Sequence, residues 1–479
     1  MTPLDALRAI HEELWDSERG MDRYAPGVVP GIDIEPFNLH SVRETALGAF
    51  LDLEDGNADR AITAIDNVLA LQYPDSHWPW SGTFPVTAEQ HDPPGTAAVE
   101  WVHYDPNWRQ FLGCILAMCV MHHGAAIPEP TVTAIDTALL RCVRGEPDGR
   151  IAPWYTNPNL MHAWLLGHVG NRADDAELCA AGERRRALIV ERFDRHGDID
   201  EYNSPTYDGI DLWALALWAI HPSTDEFRAS GEVIIERMTE RIGTLFHPRF
   251  GSAAGPYIRA YGLLPQRYVS LAGLCTYLAG APADSVLPAT ISPDTVHVHD
   301  LYFLPVLARL APAFVDRLDL RAITDERHHQ QHFTGSLAES VLRPDLAIGW
   351  EHGRRHDASL DQYVPFSAHF DVDGEPSAVG VMIPEDTAWI DVRRAGDLEF
   401  ELTAAGRADR VGVRVVVGSV AAVSSRRIVG GRCRIEFDRS ADERIETMTA
   451  VGAEVQLRWS GERVTGWISV GDEAANATP

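Results

Sequence analysis

Proton-transferring and charge-offsetting groups crowd into residues 198–213. The groups in question are Glu201, Asn203, Tyr207 and Asp208. Asn203 and Ser204 suit the N-cap of a helix, and Pro205 suits its first turn. Capping does not account for Glu201, Tyr207 and Asp208, which lie near a helix start where negative charge is favoured. This run is therefore a candidate site for acid/base chemistry.

Asn159 and His162 stand three positions apart in an apolar helical pattern, which places them on one helix face. A histidine beside a polar amide can act as a general base. The alternative is a buried histidine that bonds to a neighbouring loop.

Residues 255–262 contain Tyr257, Arg259 and Tyr261 at alternate positions. If the segment is extended, one side presents two phenols and a guanidinium. Arg259 can grip a carboxylate, and it favours ionisation of a neighbouring tyrosine. If the segment instead starts a helix, the aromatic residues are ordinary surface groups.

An irregular, aromatic run between 78 and 108 predicts the wall of a cleft, because indole rings stack on the C–H faces of sugars. The alternative is a long loop packed against its own core. The candidate substrate-binding residues in this run are Trp78, Trp80, Trp101, His103, Tyr104, Asn107 and Trp108.

Histidines also concentrate at 297–300, 328–332 and 351–357. None of these groups has a standard zinc spacing, so we expect no metal and no cofactor. We expect the run from Trp350 to His352 to be a loop that leans over the cleft, with His352 touching substrate and Arg354 and Arg355 adding positive charge.

The candidate site residues need regular elements to position them. The apolar pattern between 39 and about 310 is helical, so we expect helices to do this. Six apolar helices follow turns rich in Asn, Pro or Gly, and five of these starts recur at about fifty residues, the length of a helical hairpin. Six stacked hairpins predict an (α/α)6 toroid whose inner helix starts line one rim. The starts are 36–40, 105–108, 157–160, 203–206, 255–261 and 297–301.

After Thr334 the pattern changes to short alternating or β-branched runs at 378–383, 411–417, 432–437 and 454–459. We therefore predict a catalytic toroid over 1–325 and an antiparallel, sandwich-like β-domain over 335–479. Residues 319–334 interrupt both patterns and form the expected boundary.

The formal net charge of the 479-residue chain is −29, which disfavours nucleic acid and anionic membranes as partners. No apolar run is long enough to span a membrane, and no secretory signal is visible, so we expect a cytoplasmic protein. Its expected partner is a small molecule or an oligosaccharide. Phosphate-binding and dinucleotide motifs are absent from the sequence.

This pattern resembles the polysaccharide lyases with an (α/α) toroid followed by an antiparallel β-domain, the group of chondroitin and alginate lyases and heparinase II/III-like proteins. The resemblance rests on architecture, on 203–207, on the Asn159/His162 pair and on 257–261. It implies β-elimination from a uronate-containing glycan. Asn203 and Arg259 would then neutralise the carboxylate, His162 would be the base, and Tyr207 or Tyr261 the acid.

Three other functions stay open. A glycoside hydrolase would use two carboxylates from Glu100, Asp105, Asp200, Glu201, Asp208 and Asp211. A small-molecule dehydratase or isomerase would use the same acid/base groups. A non-catalytic sugar-binding protein would need only the tryptophans.

Overall fold

A computed structural model describes residues 2–27, 39–90, 95–355, 362–407, 409–418, 420–449 and 452–471. The predicted helix start at Pro36, Phe37 and Asn38 lies outside these ranges, as do His356 and Asp357. The chain forms two compact units, each built from three segments. Unit 1 comprises Met1–Asp200, Gly209–Arg237 and Thr290–Asp316, and unit 2 comprises Glu201–Asp208, Met238–Ala289 and Arg317–Pro479.

Helices dominate the first two thirds of the described chain. Their bounds are α1 Pro3–Leu14, α2 Val42–Glu54, α3 Ala58–Ala70, α4 Trp108–His123, α5 Glu129–Arg144, α6 Thr156–Ala173, α7 Ala176–His196, α8 Asp208–Ile220, α9 Asp225–Leu245, α10 Leu271–Leu278, α11 Ala283–Val286 and α12 Leu304–Leu310. No helix in the described ranges is long and apolar enough to cross a membrane.

Unit 1 is an array of helical hairpins. The first helices of successive hairpins, α2, α4 and α6, pack side by side, and α12 packs on α2, so the last helix returns to the first. The indole N–H of Trp218 in α8 donates to the carbonyl of Leu160 in α6 at 3.0 Å, which continues the series. Helix α6 is buried nearly all round, whereas α7 buries only Gly182, Ile189 and Phe193. Inner helices are therefore apolar on most faces and outer helices amphipathic, as in a toroid.

Short strands accompany the helices, and longer strands form two antiparallel sheets in unit 2. The bounds are β1 Trp15–Asp16, β2 Met21–Asp22, β3 Phe84–Pro85, β4 Tyr104–Asp105, β5 Phe246–His247, β6 Ser252–Ala253, β7 Arg327–Phe333, β8 Ser336–Arg343, β9 Leu346–His352, β10 Phe366–Val372, β11 Glu375–Met382, β12 Thr387–Arg394, β13 Glu399–Gly406, β14 Arg410–Val417, β15 Val420–Val423, β16 Arg427–Gly430, β17 Cys433–Phe437, β18 Glu443–Thr449, β19 Gly452–Ser460 and β20 Arg463–Val470.

The larger sheet has the order β18-β19-β14-β11-β10-β9-β8-β7, and the smaller has the order β12-β13-β20-β17-β16-β15. Aromatic side chains join the two sheets: Phe400 of the smaller meets Trp350 of the larger with ring centroids 5.0 Å apart. Phe437 and Trp459 meet in the same way at 4.7 Å. The predicted fold class, helical hairpins followed by an antiparallel sandwich-like domain, is confirmed.

Three local predictions differ from the structure. Residues 327–333, within the expected boundary, form an edge strand whose alternate side chains are exposed. The run from Trp350 to His352 closes strand β9 and is not a loop. Residues 255–261 do not start a helix; the extended alternative holds at Tyr257, whose main chain pairs with that of Val364. Pairing between distant segments decides each case, and a local pattern does not carry that information.

Candidate functional site

Unit 2 brings Tyr207, Tyr261, Arg259 and Glu201 together in a group that we call the tyrosine–arginine cluster. The hydroxyls of Tyr207 and Tyr261 lie 3.0 Å apart. Arg259 donates from Nη2 to the Tyr207 hydroxyl at 2.9 Å and from Nη1 to Glu201 at 2.8 Å. Its Nε donates to Gln362 at 2.8 Å. Residues from three separate parts of the chain therefore converge on one guanidinium.

Arg259 acts on Tyr207 in two ways. Its guanidinium carbon lies 3.7 Å from the Tyr207 ring centroid, a cation–π contact, while Nη2 donates to the hydroxyl of the same residue. A hydrogen bond from a cation stabilises a phenolate more than a neutral phenol. The Tyr207 oxygen is thus suited to hold a proton and to release it.

Two backbone segments position the cluster. The Ser204 hydroxyl donates to the carbonyl of Arg259 at 2.7 Å, and the backbone N–H of Tyr261 donates to Thr206 Oγ1 at 3.3 Å. Asn203 donates from its amide to the carbonyls of Ala254 and Pro256 at 2.7 and 2.8 Å. The turn at 203–207 and the extended segment at 254–261 are therefore held together by side chains of the turn.

Asn203 itself has a left-handed backbone, with φ 51°. The N–H groups of Tyr207 and Asp208 bond to the Ser204 carbonyl, so a turn precedes helix α8, which begins at Asp208. Ser204 Oγ accepts from the Tyr207 N–H at 3.1 Å, as the predicted N-cap would, while Pro205 lies in the turn just before the first residue of α8. A left-handed residue lets the chain reverse before the helix begins, and Asn tolerates that conformation better than most residues.

Two further predicted residues of unit 2 are buried. Asp208 accepts two hydrogen bonds from Arg241 at 3.0 and 3.1 Å in a buried ion pair. Tyr257 lies in a small core with Leu263 and Val364 and donates to the carbonyl of Ala253. Burial raises the pKa of Tyr257 to about 12. Of the two phenols predicted on one face, Tyr261 contacts Tyr207, whereas Tyr257 packs in the core.

His352 ends strand β9 and is half-buried. Arg354 forms an ion pair with Glu351 at 2.7 Å. Arg355 does the same with Asp391, also at 2.7 Å. Both arginines predicted to draw in an acidic ligand therefore have carboxylate partners in unit 2.

His162 lies in unit 1 and is buried in helix α6. The Gln110 amide lies 3.3 Å from its Nδ1, a donor that leaves the imidazole proton on Nε2. Burial is the main cause that holds the pKa of His162 well below its usual range, and three nearby positive charges add to it. The charges belong to Arg185, Arg150 and Arg109. His162 is therefore a neutral imidazole, and its role as a base stays a prediction.

The two asparagines predicted along the rim of unit 1 are held by neighbours. Asn107 donates to the Tyr155 hydroxyl and accepts from Arg150, both at 2.9 Å. Asn159 donates to the carbonyls of Ala152 and Tyr155 at 2.6 and 2.8 Å and accepts from Arg185. These contacts fix the start of α6 against the start of α4.

The aromatic run divides into buried and exposed members. Trp80, Tyr104 and Trp108 are buried, and the Trp80 indole donates to the Gly95 carbonyl at 3.2 Å. Trp78 and His103 are half-buried. Trp101 is 59% exposed and has a left-handed backbone, with φ 58°. Among the predicted tryptophans, Trp101 is thus the one that offers its ring face to solvent.

Sequence reasoning missed Trp154, which lies just before α6, stacks on Tyr155 and is 39% exposed. The signal was present in Ala-Pro-Trp-Tyr ahead of the Asn157 helix start. It also missed the charge state of Asp105, a hydrolase candidate, since burial raises the pKa of this carboxyl to about 6.

Metal-ligating side chains converge in unit 1 at His297, His299 and Asp300. Within the described ranges this is the one group of three or more such residues that lie close enough to share an ion. The histidines at 328, 329 and 332 lie in the edge strand β7. Successive side chains of a strand point to opposite faces, so His328 and His329 do not face the same side.

Residues 34–312 match the family described as a domain of unknown function (DUF8769), and the chain belongs to this family. No curated protein matches the chain. Among solved structures, a chondroitinase AC lyase studied in complexes with oligosaccharides aligns over 100% of this chain and 82% of its own, with 9% identity and a TM-score of 0.39. A heparinase III (BT4657 gene product) aligns over 90% of this chain and 78% of its own, with 10% identity and a TM-score of 0.38.

Both structures carry names from the lyase group that the sequence resembles. The architecture on which that resemblance rests, helical hairpins followed by antiparallel sheets, is present in this chain. Any function for this chain has to come from its own side chains.

Proposed function

We propose that this protein is a lyase that cleaves a uronate-containing glycan or oligosaccharide by β-elimination. The observation that supports this most is the tyrosine–arginine cluster, in which Arg259 contacts both the ring and the hydroxyl of Tyr207 while Tyr261 lies one hydrogen bond away. Such a pair can remove one proton and deliver another.

In this proposal the Tyr207 phenolate, in place of the His162 that the resemblance implies, takes the proton from C5 of the uronate. The C5–H electron pair forms the C4=C5 double bond, and the C4–O bond breaks. The leaving oxygen takes its proton from Tyr261. A proton then passes from Tyr207 to Tyr261 across their 3.0 Å contact, which restores both residues without net uptake from water.

Abstraction next to a carboxylate also requires that the negative charge of that carboxylate be offset. Arg259 is the proposed neutralising group, and because its three nitrogens bond to Gln362, Glu201 and Tyr207, it acts through its charge and not through a direct hydrogen bond. The contacts of Asn203 with two carbonyls argue against that role for its amide, and support a positioning role.

The hydrolase alternative rests on Asp105, whose pKa of about 6 suits a general acid. It also needs a second carboxylate. Glu201 and Asp208 hold Arg259 and Arg241, which disfavours both as that partner.

The test is ultraviolet absorbance of the purified protein with a panel of uronate-containing oligosaccharides, run beside a reducing-sugar assay. An unsaturated-uronate band from the wild-type protein that is lost in Tyr207→Phe and kept in His162→Ala supports the proposal. A band lost only in His162→Ala returns the base role to His162. Reducing ends without the band mean hydrolysis, and silence in both assays favours a binding protein or another substrate class.

A further inference from the structure

Three potential metal ligands lie within four consecutive residues ahead of helix α12. The ligand atoms of His297, His299 and Asp300 all lie within 4.8 Å of one another, and all three side chains are buried. Asp300 Oδ1 is 3.2 Å from His299 Nε2, and Asp300 Oδ2 is 4.0 Å from His297 Nδ1. Ligand atoms around a tetrahedral ion stand about 3.4 Å apart for bonds of about 2.1 Å. Small side-chain rotations therefore suffice to close the group on one ion.

The backbone holds this group in a strained conformation. His297 has a left-handed backbone, with φ 57°, and its N–H donates to the Gly27 carbonyl at 2.7 Å. Gly27 in turn donates to the carbonyl of Pro293 at 2.8 Å, and a Cβ on Gly27 would lie 2.0 Å from the Thr295 carbonyl oxygen. Left-handed non-glycine residues cost on the order of 1–3 kcal/mol and concentrate at functional sites.

The local charges and hydrogen bonds also suit a cation. The buried Asp300 carboxylate faces the imidazoles of His299 and His297 and, more weakly, the guanidinium of Arg43, which forms its own ion pair with Glu44 at 2.7 Å. Within the described part of the chain, the buried Nδ1 of His299 has no hydrogen-bond partner. This nitrogen belongs to the imidazole whose Nε2 faces Asp300, so an unmet polar contact lies within the same group.

We propose that His297, His299 and Asp300 bind one divalent transition-metal ion. Two imidazoles and one carboxylate form a donor set typical of zinc and iron(II) sites that keep a coordination position open for water or substrate. Because the ligands come from a single turn, this site does not require the tyrosine–arginine cluster. It is independent of the proposed lyase activity.

The test is isothermal titration of the full-length protein with zinc after removal of bound metal by a chelator. We expect one equivalent to bind with a dissociation constant in the micromolar range or below. His299→Ala and Asp300→Asn should each weaken binding at least tenfold, whereas the exposed His77→Ala should leave it unchanged. Circular dichroism checks that each variant keeps its helices.

A second measurement uses the wild-type protein alone, so it does not depend on how a variant folds. Cobalt(II) should produce visible absorption bands of a site with nitrogen and oxygen ligands, and one equivalent of zinc should remove them. Failure of the wild-type protein to bind zinc in this range would overturn the proposal. Unchanged affinity in both His299→Ala and Asp300→Asn would also overturn it.

Discussion

Tyr207 and Tyr261 are expected to work as one proton-transfer unit. Tyr207→Phe should lower kcat on uronate substrates by about 10²–10⁴-fold, because it removes the oxygen that Arg259 stabilises. Tyr261→Phe should have a similar effect, and the double variant should be little worse than either single one. Steady-state kinetics of the four proteins measure this directly.

Tyr277→Phe, in helix α10 of the same unit, is the matched control and should keep the wild-type rate. If the double variant instead loses the product of the two single effects, the tyrosines act independently and the proton relay is wrong.

The sequence identifies the residues of the tyrosine–arginine cluster as candidates, but it does not predict that they lie in contact. Arg259 lies 52 positions from Tyr207 and 103 from Gln362, and side-chain type alone does not indicate which residues of a toroid-type chain become neighbours. His297, His299 and Asp300 are a simpler case, because their closeness follows from their adjacent positions. The spacing of these residues along the chain matches no standard zinc motif, yet their ligand atoms lie within 4.8 Å of one another.

At the scale of elements, Asn203 fixes the turn before α8 to the segment at 254–256. Asn203→Gly should destabilise the protein by about 2 kcal/mol through the loss of two hydrogen bonds. Asn203→Ala should cost about 1–2 kcal/mol more, because alanine disfavours a φ of 51°. Urea unfolding of the two variants gives the difference.

Asn67 is the matched control, since its amide also donates to two carbonyls, those of Arg19 and Gly20, but from within helix α3. There the order should reverse, with Gly less stable than Ala by about 1 kcal/mol. If Asn203→Ala keeps wild-type stability and loses only substrate affinity, Asn203 contacts the substrate and is not a positioning residue.

A buried charged group joins α1, α2 and the strand β2 between them. His11 Nδ1 lies 2.9 Å from Asp22, and Nε2 lies 3.2 Å from Asp52. Gly48 leaves room for it, since a Cβ there would come within 2.6 Å of both His11 and Asp22. Burial alone would lower the pKa of His11, but the charges and hydrogen bonds of the two aspartates raise it to about 9.

The raised pKa of His11 predicts a pH-dependent stability. The folded protein binds the His11 proton more tightly than the unfolded chain does. This preference stabilises the folded state fully below the unfolded pKa of about 6.5, and the stabilisation is lost as the pH rises through about 9. The free energy of unfolding should therefore fall by about 3 kcal/mol across this window, and His11→Gln should remove the fall. Urea titrations at several pH values measure it, with the exposed His77→Gln expected to behave as wild type. The same slope in His11→Gln would contradict the assignment.

The regular elements were predictable because their signals are local. The helix starts near Trp108 and Thr156 and all four strand runs after 375 occur where the apolar periodicity indicates them. The turn at 203–207 was not predictable, because a left-handed asparagine decides it. For the segment at 257 the extended alternative could not be chosen over a helix start, because pairing with Val364 decides it. The burial of Trp80 and the exposure of Trp101 could not be predicted either, because both residues lie in the same irregular aromatic run.

For the whole molecule, the formal charge of −29 opposes the approach of a polyuronate. Raising the salt concentration from about 0.02 to about 0.15 M should screen this repulsion and raise kcat/KM a few-fold. A methyl-esterified oligomer of the same length should show no such rise. A fall in kcat/KM with salt on the charged substrate would mean that local arginines outweigh the net charge.

The most direct measurement of the central claim is the mass balance of the products that the wild-type protein forms from a purified uronate oligosaccharide. Elimination predicts two fragments whose masses sum to that of the substrate, one of them carrying an unsaturated uronate. A sum that exceeds the substrate by one water would identify a hydrolase and contradict the chemistry assigned to Tyr207, Tyr261 and Arg259.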